Sequence, residues 1–409
     1  MQALGRKLTR DDAVHLLWRS GWGATVEEVD RVVADGLART VEILITPQAE
    51  GENFSRTEPM LYQSANATGN IDALKNWWLY RMLYTANPLA EKMALFWHNH
   101  FATSNTKVRS ARHMAVQNLL IRQHALGSFR QLLGGMARDV AMLKWLDTNS
   151  NRKRQPNENF AREVMELFTL GVGNYSEHDI KEAARAFTGW HLRNDGFWFN
   201  RSQHDAGEKE ILGESGKFDG ADILGLCLAR PACPRFLAKK LLATFVAPNP
   251  DKATTDALAQ RIRHHDYDMG QVMRELLQSQ AFFAPEARRV IIKSPVDLVV
   301  GTYRALGNRA RLPQSVQLMA SLGQNLFEPP TVKGWEGGRL WINSTTMLQR
   351  SNFATDLITG DRYGRIAKPQ PSVDYSELLL GRQMPSTPGG RDLLARIQFL
   401  LSTPEYQLL

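Results

Sequence analysis

The sequence is poor in cysteine and contains no long apolar run. Only Cys227 and Cys233 occur among 409 residues, and their spacing fits neither a metal knuckle nor a redox pair. A stretch of about 18 apolar residues is also missing, which excludes a transmembrane helix. Neither a disulfide framework nor membrane insertion is therefore expected to hold this fold together.

Basic charge is not concentrated in any one stretch. Lys and Arg exceed Asp and Glu by 50 to 42, a formal net charge of +8, but they occur in small groups such as residues 152–154 and 288–289. Nucleic-acid binders usually gather basic charge and base-stacking aromatics on one face, so we expect no nucleic-acid partner.

The first thirty residues predict no signal peptide. They carry no long apolar run, and Asp11 and Asp12 interrupt them early. We therefore expect a cytoplasmic protein, or a periplasmic one if a leader has been removed or a partner carries the export signal.

Several catalytic signatures are missing as well. The chain has no Gly-x-x-x-x-Gly-Lys-Ser/Thr loop, no Gly-x-Gly-x-x-Gly turn, no Gly-x-Ser-x-Gly elbow and no His-Glu-x-x-His helix. These absences disfavour a nucleotide-binding loop, a serine-hydrolase elbow and a zinc-protease helix. The cofactor, if there is one, stays unknown at this stage.

What the sequence does have is apolar residues, 43% of the chain, and ten tryptophans. Apolar positions recur at three- and four-residue spacing between glycine stops, which predicts an all-α, mainly helical, single large domain over residues 1–409. The predicted helices include 158–171 and 231–246. Alternation predicts at most a short β-hairpin near residues 196–204. Stretches rich in Pro, Gly and polar residues predict loop excursions at 48–70 and 361–388.

The most unusual run covers residues 157–171. On a helical wheel, Glu163 lies at the edge of an apolar stripe, whereas Glu166 lies opposite it. Two carboxylates three residues apart can divide the roles of general acid and base, bind a metal or orient an arginine. A solvated helix face is the alternative. Polar neighbours that could bind a substrate are Asn157, Asn159 and Arg162.

A second helix is predicted over residues 177–190, after a glycine-broken turn. A capping-box pattern begins it, and its apolar stripe ends at Trp190, so that it packs back on the first helix. His178 is explained by its place in the first turn, and we assign it no catalytic role.

Residues 96–101 form a second distinctive motif, Phe-Trp-His-Asn-His-Phe. His98 and His100 point in different directions on a helix, since residues two apart do not share a face. The wheel places His100 among buried residues and His98 away from them. Trp97, His98 and His100 are candidates for substrate binding, although a buried histidine often only satisfies a backbone partner.

Two further segments carry candidate residues. His204 and Asp205 follow the predicted hairpin, where they can supply an acid, a base or the polar side chains of a turn. Trp335 and Trp341 flank a glycine-rich stretch that can present aromatic faces to a ligand, and Trp190 is a further candidate for substrate binding.

These motifs together resemble the domain-of-unknown-function 1800 family of bacteria, over nearly the whole chain. The resemblance rests on residues 96–101, 157–173, 187–190, 332–335 and 341–343. It implies no agreed activity. Members of the family are often encoded beside proteins that resemble sulfatases and carry export signals, which implies a sulfatase-like protein partner.

Three hypotheses follow. The first is a hydrolase that acts on a saccharide or another polar polymer, with Glu163 or Glu166 as the acid and Asp205 or Asp147 as its counterpart. The second is a metal-dependent enzyme that uses His98 or His100 with the two glutamates. The third is a non-catalytic helical partner of an exported enzyme, in which the motifs bury a polar network.

Overall fold

The computed structural model describes residues 1–307, 309–360, 362–364, 366–384 and 392–409. This part of the chain is mainly helical, as predicted. Its α-helices are α1 Arg10–Ser20, α2 Val26–Ile45, α3 Glu52–Thr68, α4 Ile71–Tyr84, α5 Pro88–His100, α6 Asn105–Val108, α7 Ala111–Gln123, α8 Phe129–Met136, α9 Val140–Trp145, α10 Asn159–Glu163, α11 Glu177–Ala186, α12 Gly220–Ala229, α13 Ala232–Phe245, α14 Lys252–His264, α15 Met269–Leu277, α16 Gln280–Phe283, α17 Pro295–Leu306, α18 Leu312–Ser321, α19 Ser344–Thr359, α20 Tyr375–Leu380 and α21 Leu393–Ser402.

Shorter turns of other helix types connect them. A π-helix, Val164–Thr169, directly continues α10. Turns of 3₁₀ helix lie at Thr148–Ser150, Arg201–Gln203, Pro285–Ala287, Gly338–Trp341 and Glu405–Gln407. No helix in the described ranges combines the length and the apolar character needed to cross a membrane.

The strands form two separate antiparallel hairpins. β1 (Trp190–Arg193) pairs with β2 (Gly196–Phe199), and β3 (Lys209–Ile211) pairs with β4 (Glu214–Gly216). The first hairpin begins six residues before the predicted one, and the second was not predicted. Both turn through residues with positive φ, among them Asn194 and Asp195, as tight hairpin turns require.

The predicted loop at 48–70 is wrong, because α3 occupies most of it. Pro59 and many polar residues give this stretch a weak helical pattern. Its packing against α4 stabilises the helix: Tyr62 contacts Trp77 with ring centroids 5.3 Å apart, and the Trp77 indole donates to Glu58 over 2.7 Å. Tertiary contacts thus override local propensity here.

The predicted excursion at 361–388 also needs correction, since it contains α20. Asp374 caps that helix by accepting from the backbone of Ser376 and Glu377. Residues 361, 365 and 385–388 of the predicted excursion lie outside the described residues.

One helix, α5, lies at the centre of the hydrophobic core. Every residue from Glu91 to His98 is buried, including the charged pair Glu91 and Lys92. Glu91 is held by Arg81 and Arg122 over 2.9 and 2.6 Å. A helix enclosed on all sides has no solvent face, which matters for the motif at its C-terminal end.

Candidate functional site

The site is built around the π-helix that continues α10. Its backbone widens there: the Leu170 amide donates to the Met165 carbonyl five residues back, over 2.8 Å. The Thr169 hydroxyl donates to the Val164 carbonyl over 2.5 Å. π-helical turns inside α-helices occur frequently at functional sites. The predicted helix over residues 158–171 is therefore present, with this change in its second half.

Both glutamates of this segment are half-buried. Burial, followed by the charge of nearby Glu166, raises the pKa of Glu163, although Arg162 and Lys333 oppose that shift. The Tyr175 hydroxyl donates to Glu166 over 2.7 Å. The wheel placed Glu166 away from the core, but Tyr175 from the following loop covers it. The two carboxyl groups are therefore close enough to interact but differ in their partners, because only Glu166 accepts from Tyr175.

An open cleft of about 1310 Å³ lies next to this pair. Leu167 and Leu170 of the π-helical segment form one wall, and the loop from Gly171 to Ser176 forms the rim. Neither glutamate lines the cleft directly. Tyr175 and Lys333, which interact with them, do.

The opposite wall is one face of α13. Residues at three- and four-residue spacing line the cleft, while the other face of the helix, including Leu237, Leu241 and Phe245, is buried in the core. The lining residues of α13 are Ala232, Arg235, Phe236, Lys239, Lys240 and Ala243.

This face makes the cleft basic. Besides Lys239 and Lys240, the lining includes the basic residues Arg230 and Lys333. The acidic residues of the lining are Asp179 and Glu210. Burial lowers the pKa of Lys240 to about 8, and its ammonium lies 5.3 Å from the centre of the Phe236 ring. We did not predict this set from the sequence. The spacing of Arg235, Lys239 and Lys240 was visible, but the basic residues were interpreted as scattered.

The motif at the end of α5 holds two backbone segments next to the site in place. Asn99 clamps the loop after Lys333: its carboxamide oxygen accepts from the Trp335 amide over 2.7 Å, and its nitrogen donates to the Trp335 carbonyl over 3.3 Å. Gly334 has a φ of +84°, and a Cβ there would lie 2.1 Å from the Asn99 side-chain oxygen. Only glycine fits this close approach. Asn99, absent from our candidates, thus positions Lys333.

His100 holds the other side of the site. Its Nε2 lies 3.0 Å from the carbonyl oxygen of Phe168, within the π-helix. Burial lowers its pKa well below the ordinary value, an effect to which Lys240 adds. The expected burial of His100 is confirmed.

His98 differs from its prediction, because it is buried as well. Its ring lies between those of Trp78, Phe327 and Trp335, with centroids 5.1, 5.5 and 5.7 Å away. Burial lowers its pKa to about 3. The wheel assumed that α5 has a solvent face, whereas the core encloses it. Neither histidine is open to a substrate.

The four candidate tryptophans are also part of the core. Trp97, Trp190, Trp335 and Trp341 are 0, 3, 5 and 7% exposed. A ring with no free face cannot stack on a ligand, so their assignment to substrate binding is corrected to packing. The Trp97 indole, for example, donates to the Ala125 carbonyl over 2.9 Å.

Asp205 and His204 are occupied elsewhere. Asp205 accepts from the Arg185 guanidinium over 2.8 Å, and this contact lowers its pKa. His204 lies against Phe199 and hydrogen-bonds through Nδ1 to the Thr188 carbonyl over 2.9 Å. Neither residue lines the cleft. Asp147, the other suggested counterpart, pairs with Lys107 over 2.6 Å.

The polar residues before the glutamates shape the entry to α10. Asn157 accepts from the Asn159 amide over 2.9 Å, which forms a turn. Arg162 pairs with Glu158 and Glu177 over 3.1 and 2.7 Å. These contacts explain the three residues as a cap and a surface ion-pair cluster rather than as cleft-lining groups.

Ligands for a metal do not converge at the site. Within the described ranges, no group of three or more His, Cys, Asp or Glu side chains could hold a metal ion. His98 and His100 face different aromatic clusters, and the glutamates lie on a separate segment. The proposed set of histidines and glutamates is not brought together.

Fold and site define a mainly helical protein with a basic cleft beside two glutamates, Glu163 at the end of α10 and Glu166 on the π-helix that continues it. The family described as Protein of unknown function (DUF1800) matches residues 15–408, and the chain belongs to that family. No curated protein and no solved structure matches it. The motif resemblance is therefore confirmed, without an activity attached.

Proposed function

We propose that this protein is a hydrolase acting on a saccharide or another polar polymer, with Glu163 and Glu166 as its acid/base pair. The observation that carries the proposal is the unequal environment of two adjacent carboxyl groups beside a large open cleft. Glu163 has a raised pKa, whereas Glu166 accepts a hydrogen bond from Tyr175. Unequal carboxyl groups are what acid/base catalysis requires.

The roles follow from these environments. Glu163 holds its proton to higher pH and donates it to the oxygen of the departing sugar. Glu166 accepts a hydrogen bond from Tyr175, which orients its carboxyl group for attack on the sugar. Residues three apart on a helix have Cβ atoms about 5–6 Å apart, which suits the closer spacing of retaining glycosidases. No counterpart from Asp205 or Asp147 is needed.

Such a reaction proceeds in two balanced steps. Glu166 attacks the anomeric carbon while the bond from that carbon to the leaving oxygen breaks. The leaving oxygen takes the proton of Glu163. Glu163 then accepts a proton from water, whose oxygen displaces Glu166 and releases the sugar. The open cleft also favours an enzyme over a non-catalytic helical partner, because a polymer bound there would lie beside Tyr175 and Lys333, the two lining residues that interact with the pair.

The test is the release of reducing ends from a panel of soluble polysaccharides, neutral and anionic. Glu163→Gln and Glu166→Gln should each lower the rate by about 10²-fold or more, the contribution of a positioned acid or base. Glu158→Gln, on the same segment but paired with Arg162 and assigned no role in the reaction, is the matched control and should retain activity. Cleavage at the wild-type rate by either variant, or no cleavage of any polymer by the wild type, refutes the proposal.

A further inference from the structure

The cationic face of α13 indicates which polymers the cleft accepts. We infer that it binds an anionic saccharide, whose sulfate, phosphate or carboxylate groups contact Lys239, Lys240 and the neighbouring basic side chains. The choice of a saccharide rests on the proposed function, whereas anion binding does not depend on it. The argument uses the charge balance, the unpaired cations and the sparse aromatic lining of the cleft.

The charge balance is the first step. Five basic side chains line the cleft, against two carboxylates. One of these carboxylates, Asp179, already has hydrogen-bond partners within the protein. It accepts from the Ser176 hydroxyl and, over 2.6 Å, from the Leu212 amide. The cleft therefore carries positive charge that its own acids do not neutralise. The five basic residues are Arg230, Arg235, Lys239, Lys240 and Lys333.

The second step is that most of these cations have no carboxylate partner. Among the described residues, Arg235 pairs with Asp256 over 2.8 Å, but the other four form no ion pair within 4.0 Å. Surface lysines usually extend into water, where the absence of a partner means little. These line a concave wall, where their fields add and attract an anion.

Lys240 makes the strongest case. Its side chain lines the cleft, with the ammonium over the Phe236 ring and close enough to His100 to lower the pKa of that buried imidazole. A partly dehydrated cation without a counter-charge is unfavourable, and a bound anion would compensate it. This arrangement prepares the cleft for a negatively charged group.

The aromatic lining argues against a nucleic acid as the ligand. Single-strand binders combine basic grooves with rows of exposed aromatic rings on which bases stack. Among the described residues, Tyr175 and Phe236 are the only Phe, Tyr or Trp side chains that line the cleft. The Tyr175 hydroxyl is bound to Glu166, and Phe236 is flanked by Lys240 and by Gly171, where a Cβ would lie 2.9 Å from the ring.

The experiment measures binding by titration calorimetry at low salt, with dextran sulfate and polygalacturonate against neutral dextran. The anionic polymers should bind, neutral dextran should not, and affinity should fall as salt is added. The double variant Lys239→Gln/Lys240→Gln should bind about tenfold more weakly. The matched control is Lys7→Gln/Lys217→Gln, which removes the same charge from exposed positions outside the cleft.

Three results would overturn the inference. They are equal binding of neutral dextran, an unchanged affinity of the α13 variant, and saturation by inorganic sulfate alone, which would indicate a simple ion site. A single-stranded oligonucleotide that binds more tightly than dextran sulfate would replace the saccharide with a nucleic acid. If the α13 variant fails to fold, the double variant Arg230→Gln/Lys333→Gln replaces it. It removes two other positive charges from the same cleft and should also weaken binding of the anionic polymers.

The experiments distinguish a failure of the hydrolase proposal from a failure of the anion-binding inference. Glu163→Gln and Glu166→Gln should still bind dextran sulfate, because neither substitution removes a cation of the basic wall. Binding without cleavage of any saccharide would refute the hydrolase and leave the anion site. Cleavage of neutral polymers at a rate that the α13 variant does not change would refute the anion site and leave the hydrolase.

Discussion

The C-terminal end of α5 and the cleft face of α13 each have a role opposite to the one that their residue types suggest. The α5 motif contains two histidines and a tryptophan, residue types typical of active sites, yet all three are buried in the core. The α13 face carries lysines and an arginine at ordinary helical spacing, yet it forms a wall of the open cleft.

The difference shows that residue type is a weaker guide to a site than solvent access. Asn99 and His100 act on the site through the backbone that they hold, at Trp335 and Phe168. Lys239 and Lys240 can contact a ligand directly. The distinctive motif therefore positions the site, and a plain amphipathic helix supplies its charge.

The largest effect should come from Trp97→Ala, which tests the structural role of the α5 motif. Trp97 is fully buried and stacks on Phe129 with centroids 5.2 Å apart. Its loss should lower the free energy of unfolding by about 3–5 kcal/mol, through lost burial and a cavity. Lys239→Ala on the cleft face should change it by less than about 0.5 kcal/mol. Denaturant titration of both variants checks this, and similar values would break the contrast between the two regions.

A smaller effect is expected for Gly334→Ala, which tests the Asn99 clamp. The new methyl group would clash with the Asn99 side chain and with the Asn99 carbonyl oxygen, 2.6 Å away. In addition, the positive φ at this position is unfavourable for alanine. We expect a loss of more than the ~1–2 kcal/mol that a left-handed residue alone costs.

Gly338→Ala is the matched control for this clamp. Gly338 has a φ of +59°, but a Cβ there meets nothing within 4 Å. Thermal unfolding of both variants should show the larger loss at Gly334. Equal losses would mean that the backbone conformation, and not the contact with Asn99, requires glycine there.

The smallest effect concerns the pH dependence of Glu163, on the cleft side of the comparison. Its pKa is raised above the ordinary value of 4.5, so the folded state holds the proton more tightly than the unfolded chain. The resulting stabilisation is fully present below pH 4.5 and is lost as the pH rises through the raised pKa. Wild type should therefore lose stability relative to Glu163→Gln over that window.

Urea titrations across that pH range measure the difference, and Glu158→Gln reports the effect of removing any carboxylate from this segment. If Glu163 is the acid, activity should fall over the same window. A stability difference between wild type and Glu163→Gln that does not vary with pH would contradict the raised pKa.

Local signals in the sequence predicted much of the fold. Helix α13 was expected over residues 231–246 and spans Ala232–Phe245. The capping box at Ser176 begins α11 where predicted, with Ser176 accepting from the Asp179 amide. Such patterns are readable because capping and amphipathic spacing act over a few residues.

The errors arose where a distant contact decided the outcome. Helix α11 ends at Ala186 rather than at Trp190. Gly189, with a φ of +82°, lies so close to the residue that follows β2 that a Cβ would lie 2.6 Å from the Asn200 carbonyl oxygen. The backbone of Asn200 lies eleven residues further on, so no local pattern could indicate this stop.

The sequence by itself determined the helical class, the starts of many helices and the presence of Glu163 and Glu166 on one segment. Only the tertiary structure decided which groups meet a ligand. It enclosed α5 completely, folded Tyr175 over Glu166 and turned the basic face of α13 into a cleft. The physical reason is that periodicity distinguishes an apolar face from a polar one, whereas solvent access and pKa depend on packing between segments distant in the chain.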